Sequence, residues 1–124
     1  MIEKVYFISG HGDITPEEFK EHYADVIDEK IVEGNCYFVI GDYHGVDTLA
    51  QKYLKKKGAK ATVYHMFEKP RNNAGFPTFG GFTTDEDRDA NMTIVSDEDI
   101  AWVREGKENS GTAINLRRRK KLNG

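Results

Sequence analysis

Four short runs rich in β-branched and aromatic residues punctuate this chain: Lys4 to Ser9, Cys36 to Gly41, Ala61 to Met66 and Asp99 to Val103. Each leads into a polar or glycine-rich stretch: Gly10-His11-Gly12-Asp13, the seven residues from Gly41 to Asp47, Glu68 to Arg71, and Asn109-Ser110-Gly111-Thr112. Runs of this length bounded by glycine read as strands, and the segments between them carry helical periodicity. Thr15-Pro16-Glu17-Glu18 combines a capping threonine, a proline at the first helical position and a glutamate three residues after the cap. Phe19, Tyr23, Val26, Ile27 and Ile31 then share one face up to Gly34. Val46, Leu49, Ala50, Tyr53 and Leu54 do the same up to Gly58. A third helix is expected from about Thr84 through Arg88 to Ser96, and a last one from Ser110.

Strand–helix–strand crossovers are right-handed and join parallel strands, so the first three strands should lie in the order 3-2-1. The fourth, around Ile100 to Val103, adds beside the first. The expectation is one α/β domain spanning residues 1–124. It is a three-layer, Rossmann-like, mostly parallel open sheet of order 3-2-1-4, with helices on both faces. The first strand is then the topological switch point, and ligands bind outside the carboxyl ends of strands at such a point.

A chain of 124 residues buries roughly two thirds of its unfolded surface, enough for one core without staples. The single cysteine, Cys36, lies in an apolar run and reads as a small core residue in a reducing compartment. The charged start, Met-Ile-Glu-Lys, has neither the flanks nor the length of a signal peptide or membrane span, so a soluble cytoplasmic protein is expected. The formal net charge is −3 although Arg117 to Lys121 is an unbroken cationic run, so the remainder is more acidic still. That surface does not suit a nucleic-acid backbone, and a basic last turn complements the helix dipole, so the run reads as a solvated helix end.

Phe67 to Thr83 holds four phenylalanines (Phe67, Phe76, Phe79, Phe82), two prolines and three glycines without periodicity. A long loop of this kind is either a lid whose aromatics stack on a base, or a cover whose aromatics pack on the sheet edge.

Three clusters carry candidate chemistry. In the Gly41–Asp47 turn the glycines Gly41 and Gly45 permit a tight passage from strand to helix. The amides at such a start bind phosphate; alternatively Asp47 is an ordinary cap. Asn109-Ser110-Gly111-Thr112 repeats that geometry, with Ser110 either a cap or, with Thr112, a hydroxyl donor. In Asp87-Arg88-Asp89, an arginine in the first turn of a helix is misplaced against the dipole and needs an anionic partner. That partner is a ligand phosphate or carboxylate, or a nearby acid: Asp85, Asp89 or Asp97. Gly10, His11, Asp42, His44 and Arg71 complete the expected ligand contacts at the strand ends. Asp13, Asp42, Asp47, Asp87 and Asp89 are the rim carboxylates from which an acid or base would come, with Asp47, Asp89 and Asp42 foremost. No zinc spacing is present, His65 reads as structural, and neither a metal nor a cofactor is expected.

Taken together, Gly-x-x-x-Gly-x-Asp after the second strand, Arg-x-x-x-Met before the fourth and Ser-Gly-Thr after it resemble the SMF/DprA-LOG (SLOG) superfamily of small Rossmann-like nucleotide-binding domains, near its YspA-like branch. The resemblance covers almost the whole chain. The LOG phosphoribohydrolases of that superfamily have an arginine followed four residues later by methionine, matched by Arg88 and Met92. Their Gly-Thr-x-x-Glu is matched by Gly111 and Thr112, with Asn115 at the glutamate position. The resemblance implies that Met92 and Asn115 border the ligand and that the protein forms a homodimer. Because an amide cannot serve as the carboxylate that supports an oxocarbenium-like transition state, it implies the nucleotide site rather than that reaction.

Three functions are compatible with these features. One is a module that senses or sequesters a phosphorylated nucleoside or nucleotide-derived molecule. The second is a nucleoside 5′-phosphate N-glycosidase or transferase using a rim aspartate. The third, a nucleic-acid-binding domain using the basic carboxyl end, is not favoured by the charge balance.

Overall fold

A computed structural model describes residues 3–124. Strands β1 (Lys4–Ser9), β2 (Cys36–Ile40), β3 (Ala61–Met66), β4 (Thr78–Phe82) and β5 (Glu98–Ala101) form one sheet in the order β4-β3-β2-β1-β5. Every neighbouring pair is parallel, so the expected Rossmann-like α/β architecture is present with β1 at the switch point. The expected order 3-2-1-4 gains one strand at its edge.

That extra strand, β4, lies inside the Phe67–Thr83 loop. It pairs with β3 through Val63–Thr78 and Tyr64–Phe79, with a register irregularity before Met66–Phe82. Gly80 lets it approach, since a Cβ there would run into the His65 ring. The segment thus covers the edge of the sheet beside β3. Phe76 is buried in the core, Phe79 and Phe82 pack on Tyr64 at ring separations of 5.2 and 6.2 Å, and none of the four phenylalanines lines the cleft described below.

Helix α1 (Pro16–Phe19) begins with the expected capping box. Thr15 Oγ1 accepts from the Glu18 amide at 3.1 Å, and Glu18 Oε1 accepts from the Thr15 amide at 3.0 Å. It runs through a π-helical turn, Lys20–Ala24, into α2 (Asp25–Glu33). The Tyr23 hydroxyl in that turn donates to the Ser9 carbonyl at 2.7 Å and accepts from the Trp102 amide at 3.0 Å. This bond draws the chain out of the ladder after the Ser9–Ala101 pair, so β5 ends before Trp102 and Val103, which were expected within the strand.

Helix α3 spans Val46–Lys56, α4 Asp85–Val95 behind its Thr84 cap, and α5 Gly111–Leu122 behind its Ser110 cap. The α1–α3 face of the sheet holds the larger apolar core, with Ile8, Ile27, Phe38, Ile40 and Leu54 fully enclosed. The opposite face has only Phe7, Val39, Tyr64 and Met92 buried as an apolar cluster; α4 and α5 bury polar residues there instead. Arg119 is one, and it corrects the reading of the basic run as wholly solvated. Its guanidinium donates to the Ser96 carbonyl at 2.8 Å and pairs with Asp99 at 3.1 Å, while Arg117, Lys120 and Lys121 stay exposed. No helix among the described residues is long and apolar enough to cross a membrane.

Candidate functional site

Beyond the carboxyl ends of β1 and β2 lies a cleft of about 290 Å³. Its floor is Phe7 and Ser9 on β1, with Gly10 and Gly41 just beyond the ends of β1 and β2. Its walls are His11 and Gly12, the turn with Tyr43 and Asp47, the first turns of α4 with Asp85, Arg88 and Asp89, and the start of α5 with Ser110, Gly111, Thr112 and Asn115. Gly41 is required because a Cβ would lie 2.6 Å from Asp47 Oδ2 and 3.0 Å from Arg88 Cζ.

Arg88 is buried, its side chain 5 % exposed, and its partners are the protein's own acids. Nη1 reaches Asp42 at 2.8 Å and Asp85 at 2.9 Å. Nε and Nη2 both donate to Asp89 Oδ1, at 3.0 and 2.9 Å. Asp97, the third acid expected nearby, instead accepts from the Val5 amide at the start of β1. Burial lowers the affinity of the guanidinium for its proton, but Asp89 and its other acidic neighbours outweigh this and raise it. Arg88 therefore borders the cleft with its fork already filled.

Asp42 and Arg71, expected at the ligand, stand behind the wall. Fully buried Asp42 accepts from Arg88, from the Arg71 amide at 2.8 Å and from Arg71 Nη2 at 2.8 Å. Burial opposes its charge, yet the Arg71 hydrogen bonds and the two cations hold its carboxyl below the ordinary value. Arg71 continues to Asp85 at 2.8 Å. Met92 is likewise misassigned as a ligand contact: it is a core residue packed with Phe7 and Val39. His44 is exposed and lies against Tyr43 with the rings tilted and their centroids 3.9 Å apart, outside the lining. Gly45 lines nothing; its φ of +76° and its Cα against Gly12 and the His11 carbonyl let two loops touch. Asp13 pairs with Arg104 at 2.9 Å, and neither it nor Asp87 borders the cleft.

The Gly41–Asp47 turn is closed from within. Asp47 does not cap α3, whose cap is Gly45 without a side-chain bond. It reaches back to accept from the Tyr43 amide at 3.0 Å, and the Val46 amide donates to the His11 carbonyl at 3.2 Å. The first expected phosphate site thus holds the protein's own carboxyl group. Burial, helped by the charges of Asp89 and Asp42 and opposed by Arg88, pushes the Asp47 carboxyl up to about 7. Near neutral pH it is divided between acid and base forms.

The start of α5 differs. Ser110 Oγ accepts from the Ala113 amide at 3.2 Å and its carbonyl from Ile114 at 3.0 Å. Among the described residues the amides of Gly111 and Thr112 find no partner. Asn115 Nδ2 donates to Asp89 Oδ2 at 3.0 Å, so Asp89 is gripped through both oxygens, by Arg88 and by Asn115. On the facing wall, His11 Nε2 accepts from the Arg104 amide at 2.9 Å. Burial first and Arg104 second lower its pKa, leaving a neutral ring with its proton on Nδ1. The cleft thus holds unpartnered amides at the start of α5 together with the carboxylates of Asp47, Asp85 and Asp89, the last joined to α5 through Asn115.

Ser9 and Phe7 line the cleft without having been named as candidates, Gly12 and Tyr43 do so as members of the expected turns, and Asp85 was expected only as a partner of Arg88. The signal for Ser9 was strand alternation, since it shares the Phe7 face of β1. Among the described residues no group of three or more His, Cys, Asp or Glu side chains is arranged to hold a metal ion. Comparison with protein-family models, with characterised proteins and with solved structures found no match to the chain.

Proposed function

We propose that this cleft binds a phosphorylated nucleoside or a nucleotide-derived small molecule, and that the protein is a SLOG-like sensing or sequestering module acting in the cytoplasm. The observation that carries this reading is the make-up of the cleft. The unbonded amides of Gly111 and Thr112 at the positive end of α5 suit an anion. The carboxylates of the same cleft, with Arg88 already saturated, suit hydroxyl donors. A sugar phosphate presents both. Incubation with a panel of nucleosides and their 5′-phosphates, followed by calorimetry and by analysis of retained ligand, tests this. Phosphorylated members should bind and unphosphorylated ones bind far more weakly; absence of binding by every phosphorylated member overturns it.

One observation favours a second reading, a nucleoside 5′-phosphate N-glycosidase or transferase. Asp47 has a carboxyl titrating about neutrality, and Asp89 in the same cleft is oriented by Arg88 and Asn115. Such a pair can donate a proton to a departing base and support positive charge on the sugar. Release of free base in the same incubations separates the two readings. Exposed Ile94, Val95 and Leu122, at the ends of the packed helices α4 and α5, are the surface on which we place a homodimer contact.

A further inference from the structure

The segment that joins β5 to α5 rests, through a backbone amide, on an imidazole nitrogen of the cleft wall. At its start the Trp102 amide is held by the Tyr23 hydroxyl. From there to the Ser110 cap, the Lys107 amide bonds to the Arg104 carbonyl at 2.9 Å and the Ser110 amide to the Lys107 carbonyl at 3.0 Å, both within the segment. Arg117 reaches the Glu108 carbonyl from α5 itself. The backbone group that crosses to the β1 side is the Arg104 amide, which donates to His11 Nε2 at 2.9 Å. An amide can only donate, so the contact requires a bare Nε2. A proton taken up there sets two donors against each other, and the bond is lost.

The groups around His11 keep this event local. His11 is 6 % exposed and its ring stands edge-on to Trp102, whose own ring stacks on His22 of the π-helical turn at 4.0 Å. The nearby acids, Asp13 in its own loop and Glu18 on α1, are engaged by the Arg104 guanidinium at 2.9 and 2.7 Å. Arg104 and Lys107 are the cations of the facing segment, and His44 lies against Gly12 from the turn after β2. Asp47, Asp85, Arg88 and Asp89 stand on the other walls of the cleft, and the start of α5 carries no charge. Burial first and Arg104 second hold the ring neutral, with Asp13 opposing them. Arg104 in turn holds the Glu18 carboxyl down to about 2 and Asp13 below its ordinary value, so that clamp stays charged and closed while the imidazole titrates. We infer that His11 positions the segment from Trp102 to Ser110, and that proton uptake at Nε2 releases the segment about the Arg104 guanidinium and loosens the start of α5 behind it. The latch is closed at neutral pH and opens on mild acidification. Its effect on a ligand rests on the nucleotide reading; the latch itself does not.

The experiment is a titration from about pH 8 to about pH 5 of the ¹⁵N-labelled parent, His11→Gln and His22→Gln, read at ring nitrogens and backbone amides. In the parent the Arg104 amide should shift with the same midpoint as His11 Nε2, and Trp102 to Ser110 should follow. Protection of the Arg104 amide from exchange should fall roughly fivefold or more, as one neutral hydrogen bond is lost. In His11→Gln the side-chain oxygen still accepts but takes no proton, so the transition should vanish. In His22→Gln it should remain, although the other imidazole on Trp102 is gone. Nε2 protonation that leaves the Arg104 amide in place, a transition that survives His11→Gln, or its loss in His22→Gln overturns the latch. If His11→Gln does not fold, the shared midpoint in the parent decides alone. Calorimetry with a nucleoside 5′-monophosphate at both ends of the range tests control of the site, the titration of the phosphate being common to every protein compared. Parent affinity that falls toward acid more steeply than that of His11→Gln supports it; equal slopes, or a gain toward acid in the parent, overturn it. A parent that shows the latch but binds no nucleotide supports the latch and overturns the nucleotide reading.

Discussion

Arg88→Met is the perturbation that best separates a structural from a ligand-binding arginine. Its guanidinium makes contacts of 2.8 to 3.0 Å to three carboxylates, and these do not weigh equally. Asp85 is half exposed, its side chain at 51 %, so that contact contributes little. Asp42 and Asp89 side chains are only 1 % and 16 % exposed. Removing one partner of a buried ion pair costs about 3–5 kcal/mol because the remaining charge is left uncompensated. Arg71 still serves Asp42, and Asn115 still serves Asp89, which places the expected loss at the lower end, about 3 kcal/mol. For a domain of this size that is a fall in melting temperature of roughly 10 °C. Urea denaturation of Arg88→Met and of Arg88→Met/Asp89→Asn measures it, and the double variant should recover part of the loss. An Arg88→Met protein as stable as the parent that has lost only phosphate affinity would refute this account of the arginine.

Asp47 predicts a pH dependence of definite sign. Its folded carboxyl, at about 7, lies above the unfolded value of about 3.9, so between these pH values the folded state holds the extra proton and stability falls as pH rises. Asp47→Asn removes this penalty, and its stability relative to the parent, followed by urea denaturation, should grow from about pH 4 to pH 7 and then level; a pH-independent loss contradicts it. Gly111→Val should keep the ligand-free melting temperature, since nothing crowds that position, but lose the stabilisation given by a nucleoside 5′-phosphate. A lowered ligand-free melting temperature with an intact nucleotide shift would make the start of α5 a cap and nothing more.

The parts legible in the sequence were those governed by local rules. The Thr15 capping box, the Ser110 cap and the parallel placement of β1, β2 and β3 follow from neighbours in the chain. Because strand ends converge in such a sheet, the gathering of Gly10, His11, Gly41, Asp47, Arg88, Ser110, Gly111, Thr112 and Asn115 around one cleft was legible too. Strand β4 was not, because Thr-Phe-Gly-Gly-Phe has no alternation and pairs only where His65 meets a bare Cα. The Asp42–Arg71–Arg88 network joins residues 29 and 46 positions apart, a distance over which charge patterning says nothing. Met92 and Arg119 were misread for a related reason. The α4–α5 face buries polar side chains, so a methionine there completes a small apolar cluster and one arginine of a basic run turns inward.

The most direct measurement of the central claim is a titration of the ¹⁵N-labelled protein with a nucleoside 5′-monophosphate, followed by the amide resonances. The account predicts that the Gly111 and Thr112 amides shift most and saturate together, that Tyr43 and Val46, already bonded to Asp47 and the His11 carbonyl, shift less, and that the unphosphorylated nucleoside leaves Gly111 and Thr112 in place. Saturating shifts centred on Tyr43 to Asp47 with Gly111 and Thr112 unmoved, or no saturating shifts at the cleft, would contradict it.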